Sequence, residues 1–298
     1  MLVLDLDSQG SMTSIFGGRI EDEWSTVFPL LARHYAEAAQ AENRAKEARG
    51  EAPTPLDDTL SEALKVNAKD LIRSTHWPNI DLIGAQLNLY WAEFQIPVWR
   101  MATRGWKLWD ALTDRLEADG VLDSYDIIFV DTPPALGYLT INGLAAADIL
   151  LVPLGASFLE FDSTGRFFDM LHSTFQSIEE GENMAARALG RDGLQFEWDA
   201  VRTVITRYDG AQQAELASLM QAYLGQTLSP HRQDFTALIG QAGESVNGIY
   251  EADYRDFNRE TYARGRQTFD STYAAFKKLL IGAWHRDVTQ ANGEDTKD

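Results

Sequence analysis

Three aspartates stand where apolar runs end. Leu2-Val3-Leu4 leads into Asp5-Leu6-Asp7-Ser8-Gln9-Gly10-Ser11, and Ile127-Ile128-Phe129-Val130 leads into Asp131-Thr132-Pro133-Pro134. Short apolar runs bounded by turn residues read as strands buried on both faces. In open α/β sheets ligands bind outside the carboxyl ends of such strands. A carboxylate placed there suits a hydrated divalent cation beside phosphates. Taken singly, Asp5 or Asp131 reads equally well as the cap of a following helix. Two such strands in one chain form a much less common pattern.

The elements that must position these groups follow from periodicity. Further strands are expected at Ile149-Leu150-Leu151-Val152 and at 201–205, with a weaker candidate at 80–83. Between them, 137–147 and 163–177 have helical spacing. Strand and helix in alternation imply a doubly wound, mostly parallel α/β sheet with right-handed crossovers. An Ala/Glu-rich stretch over 30–49 ends at Gly50 and Pro53-Thr54-Pro55, which predicts an exposed helix and a loop. Thr59 and Glu62 fit a capping box for a next helix carrying Leu60, Leu64 and Leu71. Five tryptophans (77, 91, 99, 106 and 109) fall within 77–109. They read either as core packing under the sheet or as an aromatic partner or dimer surface.

Composition removes several classes of chemistry. The chain has 298 residues and no cysteine, so disulfides, thiolate metal sites and cysteine nucleophiles are excluded. The five histidines (34, 76, 172, 231 and 285) are not paired at ligand spacing, which argues against a histidine metal centre. The formal net charge of -19 opposes any overall attraction to nucleic acid but leaves room for a local basic patch. No apolar run is long enough to span a bilayer and the first residues do not form a signal peptide, so a cytoplasmic location is expected.

The segment LDLDSQGSMTS resembles the D-x-D-P-Q-G-S signature of the deviant-Walker ATPases, and DIIFVDTPPALGYLTINGLAAADILLVPL resembles their Walker B region. The stretch AGESVNGIYEADYRDFNRETYARGRQTFDSTYAAF is similar to the ending of the RepA partition proteins of low-copy plasmids. The chain is thereby identified as ParA/MinD-type, in patches from residue 1 to about 285, strongest at 1–17, 125–172 and 240–276. The resemblance implies an ATPase with ATP and Mg²⁺ as cofactors, acting as a homodimer that segregates replicons with a centromere-binding partner on nucleoid DNA. Asp7 would position or polarise the water attacking the γ-phosphate. Asp5 would help hold the Mg²⁺ shell, and Asp131 would bind the ion through water. Thr132, Pro133 and Pro134 would wall the phosphates, and Thr206 and Arg207 would lie near the base.

Two departures qualify these expectations. Ser8 stands where the signature has Pro. The family's phosphate loop, K-G-G-x-G-K-[ST], precedes its D-x-D strand, and no such string occurs here; Gly17-Gly18 is followed by Arg19 and Ile20. The expectation is therefore a P-loop NTPase-like fold missing its N-terminal strand, loop and helix, with ATP binding weak and hydrolysis at background. One incomplete domain is expected over 1–285, with a helical insertion about 28–76, a C-terminal helical region about 208–285 and a disordered acidic tail over 286–298.

DNA binding would fall to Arg255, Arg259, Arg264 and Arg266, with Lys277 and Lys278 nearby. Interleaved Asp253, Asp256, Glu260 and Asp270 make a solvated helical face with i,i+4 ion pairs an equal reading. Phe276, Leu280 and Trp284 at helical spacing suggest a MinD-like membrane helix or a stripe packed on its own domain, and the latter reading is preferred. A non-catalytic fragment that pairs with a full-length copy is a further alternative.

Overall fold

The structure is a computed structural model that describes residues 1–17, 24–103, 105–190, 193–239 and 248–294. Its contacts divide the chain into two compact units, Met1–Ala147 and Asp148–Asp298.

In chain order the first unit comprises β1 (Leu2–Asp5), α1 (Ser11–Ile15), α2 (Phe28–Ala48), α3 (Asp58–Ala63), α4 (Ala68–Leu71), β2 (Arg73–Ser74) and β3 (Asp81–Ile83). A 3-10 turn over Leu87–Trp91 runs into α5 (Ala92–Ala102), followed by α6 (Ala111–Ala118), β4 (Ile128–Asp131) and α7 (Tyr138–Ala145). The four strands form one sheet in the order β2-β3-β1-β4. β1 pairs in parallel with β3 and β4, and only the two-residue β2 runs antiparallel. The mostly parallel α/β sheet expected from the apolar runs is thus observed. Leu2, Val3 and Leu4 are buried, as two-sided coverage of a central strand requires.

Helix α2 departs from expectation. Pro29 opens it, where a missing N–H costs nothing, and Gly50 at φ +74 follows its end. Rather than lying exposed, it buries Leu30, Leu31, Ala32, Tyr35, Ala36 and Ala39. The polar Glu and Lys letters mark only its outer face. The next helix also differs. Asp57, not Thr59, caps α3 by accepting from Leu60 N–H at 2.8 Å. The chain then turns at extended Asn67, whose side chain accepts from Lys69 N–H, so Leu71 sits on a separate helix α4.

The tryptophan excess is resolved in favour of the core. Trp99, Trp106 and Trp109 are buried. Tyr35 stacks on Trp99 at 5.1 Å between centroids and meets Trp106 edge-on at 5.1 Å. Trp77 is half-buried against Phe16, and Trp91 is 63% exposed, on a face that also presents Leu87, Tyr90, Phe94, Val98 and Met101 to solvent.

The second unit comprises β5 (Ile149–Gly155), α8 (Phe158–Leu189), β6 (Ala200–Thr206), α9 (Gly210–Leu224) and α10 (Arg259–Glu294). β5 and β6 pair in parallel over seven residues, from Ile149–Ala200 to Gly155–Thr206. Leu154, Ala156, Ile205, Ala217, Met220 and Leu228 form its core. Helix α10 continues to Glu294, so the expected disordered tail is helical as far as that residue; 295–298 lie outside the described residues. Phe276 and Leu280 on α10 are half-buried, as a stripe packed on its own unit would be, and the side chain of Trp284 lies outside the description. Among the described residues no helix is long and apolar enough to cross a membrane.

Candidate functional site

The parallel register sets Asp5 directly opposite Asp131 on neighbouring strands, and Leu6 N–H donates to the Asp131 carbonyl at 2.8 Å. Both carboxylates therefore leave the same rim of the sheet, with Asp7 two residues further along. Burial, and then the charges of Asp5 and Asp7, push the Asp131 carboxyl up to about 6. No cation among the described residues contributes to that shift.

The three acids are not equivalent. Asp5 is fully buried. It accepts from Thr13 N–H at 2.8 Å, from the Thr13 hydroxyl at 2.6 Å and from Asp7 N–H at 3.1 Å. Burial raises its carboxyl above the ordinary range despite these donors. The Thr13 hydroxyl in turn accepts from Ala85 N–H at 2.8 Å, just past β3. Asp5 thus ties β1, α1 and the end of β3 together. Gly10 permits this closure: its φ is +63, and a Cβ there would sit 3.2 Å from the Ala85 carbonyl oxygen. Asp7 is half-buried, and its side chain accepts from Gln9 N–H at 3.0 Å.

Past Asp131, Thr132-Pro133-Pro134 leads to α7. That helix lies close against the strands at Gly143, where a Cβ would meet Leu6, Thr132 and Val130 side chains at 2.8–3.1 Å. Its N-cap, Gly137, offers no side-chain cap. Glu93 on α5 supplies one instead, accepting from Tyr138 N–H at 2.8 Å and Leu139 N–H at 2.9 Å. Neither Thr13 nor Glu93 is singled out by the sequence. Thr13 at least lies inside the LDLDSQGSMTS string, whereas Glu93 is 45 residues from its partner and carries no local signal.

Thr206 and Arg207 belong to the second unit. Thr206 ends β6, and Arg207, at φ +54, pairs with Glu160 near the start of α8. Of the basic residues, Arg255 pairs with Asp253 at 3.0 Å. Arg266 lies over the rings of Tyr250 at 4.3 Å and Tyr262 at 6.0 Å. Arg264 donates to the Phe235 carbonyl at 3.2 Å, and Arg259, Lys277 and Lys278 are exposed.

Among the described residues no group of three or more acids or histidines is arranged to hold a metal ion by itself. The donor set fits Mg²⁺ that keeps most of its water and takes one or two carboxylates. It does not fit the anchoring of a triphosphate. No Gly/Lys phosphate loop occurs in these 298 residues, and the first amides of α7 are already occupied by Glu93.

Comparison with known proteins identifies the lineage. Residues 1–184 match the family model described as AAA domain. The chain belongs to that family. Within it, the relatives are of the ParA/MinD type of P-loop ATPases. A Sinorhizobium fredii protein described as a replication protein A is 26% identical over 293 residues, covering 97% of this chain and 62% of that relative. The chain therefore spans less than two thirds of that relative's length. Cell division protein PomZ of Myxococcus xanthus is 33% identical over 183 residues, covering 61% of this chain and 44% of PomZ. Among solved structures, a partition protein superposes with a TM-score of 0.60 at 20% identity, over 93% of this chain and 63% of that one. Apo McdA from Cyanothece gives 0.57 at 20% identity, over 92% of this chain and 86% of McdA. These likenesses establish the fold as P-loop NTPase-like.

Proposed function

We propose that this chain is the acidic-rim portion of a ParA/RepA-type partition ATPase, a protein that segregates replicons by ATP-dependent dimerisation and non-specific DNA binding. The reading rests on one observation: Asp5 and Asp131 face each other across β1 and β4 while Asp7 follows on the same rim. In this reading Asp131 holds hydrated Mg²⁺ and Asp7 orients a water. Asp5, with its oxygens committed to Thr13 and Asp7 N–H, helps hold the metal shell indirectly by fixing the rim. Mg²⁺, when bound, neutralises charge developing on phosphate oxygens. The family's ATP chemistry is supported by relatives, among them McdA(D38A), which was solved as an ATP complex. For the isolated chain, whose sequence has no phosphate loop, we propose weak ATP binding and hydrolysis at background. Thr132, Pro133 and Pro134 form the wall beside the phosphates, and Thr206 and Arg207 are proposed near the base. Replicon DNA and a centromere-binding protein are the proposed partners, in a nucleoid-associated cytoplasmic setting.

Two titrations test this. Mn²⁺ used as a probe for Mg²⁺ should broaden NMR signals centred on Asp7 and Asp131, and Asp131→Asn should remove the effect; broadening centred elsewhere would overturn the metal assignment. Calorimetric titration with Mg²⁺·ATP should show no saturation below millimolar concentration, and a micromolar Kd would overturn the inference that phosphate anchoring needs the absent loop.

A further inference from the structure

We infer that Glu93 is a positioning residue: by capping α7 from α5 it sets the course of the Thr132–Gly137 turn and, through it, the placement of Asp131. The functional weight of this inference rests on the reading of Asp131 as a metal-holding carboxylate.

The geometry is specific. Helix α7 begins directly after the turn that leaves Asp131, and its own N-cap, Gly137, has no side chain with which to satisfy the first amides. Exposed helix N-termini leave unpaired N–H groups and a partial positive charge. Glu93 answers both with one oxygen per amide, at 2.8 Å to Tyr138 and 2.9 Å to Leu139. A carboxylate bound to two adjacent amides is held in orientation as well as distance. The approach is close enough that a Cβ on residue 137 would lie 2.6–2.7 Å from the Glu93 carboxyl atoms. Glycine at 137 is therefore a requirement of the clamp. A second contact holds the same point, because Tyr138 stacks on buried Trp109 with centroids 5.8 Å apart and rings 3° from parallel.

Between Asp131 and Tyr138 the chain has six residues, two of them proline. One end is set by the β1–β4 ladder and the other by Glu93. Thr140 closes the loop further, its hydroxyl donating to the Pro133 and Ala135 carbonyls. With φ of the prolines fixed, a shift at the α7 end is transmitted along a short, stiff segment to Thr132 and Asp131.

Amide hydrogen exchange on the full chain tests the inference without nucleotide. Glu93→Ala should speed exchange tenfold or more at Tyr138 and Leu139 and also at Thr132 and Ala135. Glu93→Gln keeps one acceptor oxygen and should recover part of the protection. Gly137→Ala, with Glu93 intact, should reproduce the Glu93→Ala pattern. Faster exchange confined to Tyr138 and Leu139 in all three variants would make Glu93 a local cap only and overturn the proposal. Mn²⁺ broadening in the same samples separates the two readings. If wild type shows no broadening at Asp131 while the exchange pattern holds, the metal assignment falls and the clamp stands.

Discussion

Asp131 lies across the β1–β4 ladder from buried Asp5, and its carboxyl is pushed up to about 6 from an ordinary 3.8. The folded chain therefore holds this proton more tightly than the unfolded chain does. The resulting stability is fully present below the unfolded value near 3.8 and is lost as pH rises through about 6. The shift of about two units corresponds to at most ~3 kcal/mol, and partial exposure to solvent brings the expectation to about 1–2 kcal/mol. Asp131→Asn should accordingly be more stable than wild type by about that amount at pH 7.5, with the gap closing near pH 4. Urea denaturation across this range measures it; a pH-independent gap would contradict the assignment.

His34 is held neutral. Trp106 can only donate, and its indole N–H points at His34 Nδ1 at 2.8 Å, so the ring proton sits on Nε2, facing Asp114 at 3.0 Å. Burial lowers the imidazole below its ordinary value although Asp114 opposes the shift. Stability from this pair is present above pH 6.5 and lost as pH falls through the depressed folded value. Trp106→Phe should raise the His34 titration point and flatten the acid side of the stability profile. NMR of the His34 ring nitrogens reads both the tautomer and the titration.

The Thr13 hydroxyl joins the Asp5 side chain on β1 to Ala85 N–H just past β3. Thr13→Val keeps the shape but removes a donor to Asp5 and the acceptor for Ala85 N–H. Leaving buried polar groups unpaired should cost about 2–4 kcal/mol. Thr13→Ser should stay within ~1 kcal/mol of wild type. Thermal unfolding of both variants settles the comparison, and a larger loss for Thr13→Ser than for Thr13→Val would point to the methyl group instead.

The basic residues of the second unit divide by their surroundings. Arg266, packed over two tyrosines, should cost about 1 kcal/mol when changed to Ala. Exposed Arg259 and Lys277 should change stability by less than ~0.5 kcal/mol. Retention on non-specific duplex DNA should follow the opposite order, with Arg259→Glu and Lys277→Glu weakening it and lowering its salt slope. Retention insensitive to salt would remove the DNA-binding assignment.

The strands were legible because apolar runs bounded by turn residues mark them: those near 2–4, 127–130, 149–152 and 201–205 all appear as strands within a few residues. The expected burial on both faces holds throughout β1 only, since Phe129 of β4 and Leu151 of β5 are exposed. Helix α2 was legible as a helix but not as core, since past Leu30 and Leu31 its buried residues are alanines and a tyrosine, interleaved with polar residues. The break between α3 and α4 was missed because Leu60, Leu64 and Leu71 keep helical spacing across a turn that Asn67 imposes. At the rim, the acids declared themselves by standing at strand ends. Glu93 did not, since nothing local ties a residue of α5 to amides 45 positions later. Such partners are written in the topology, not in any window of sequence.

Among the described residues, strand β4 is the last of its sheet, with a hydrogen-bonded neighbour on one side only. The backbone of Asp131 consequently owes its place to a single ladder, and its position is only as firm as the pairing of β4 with β1.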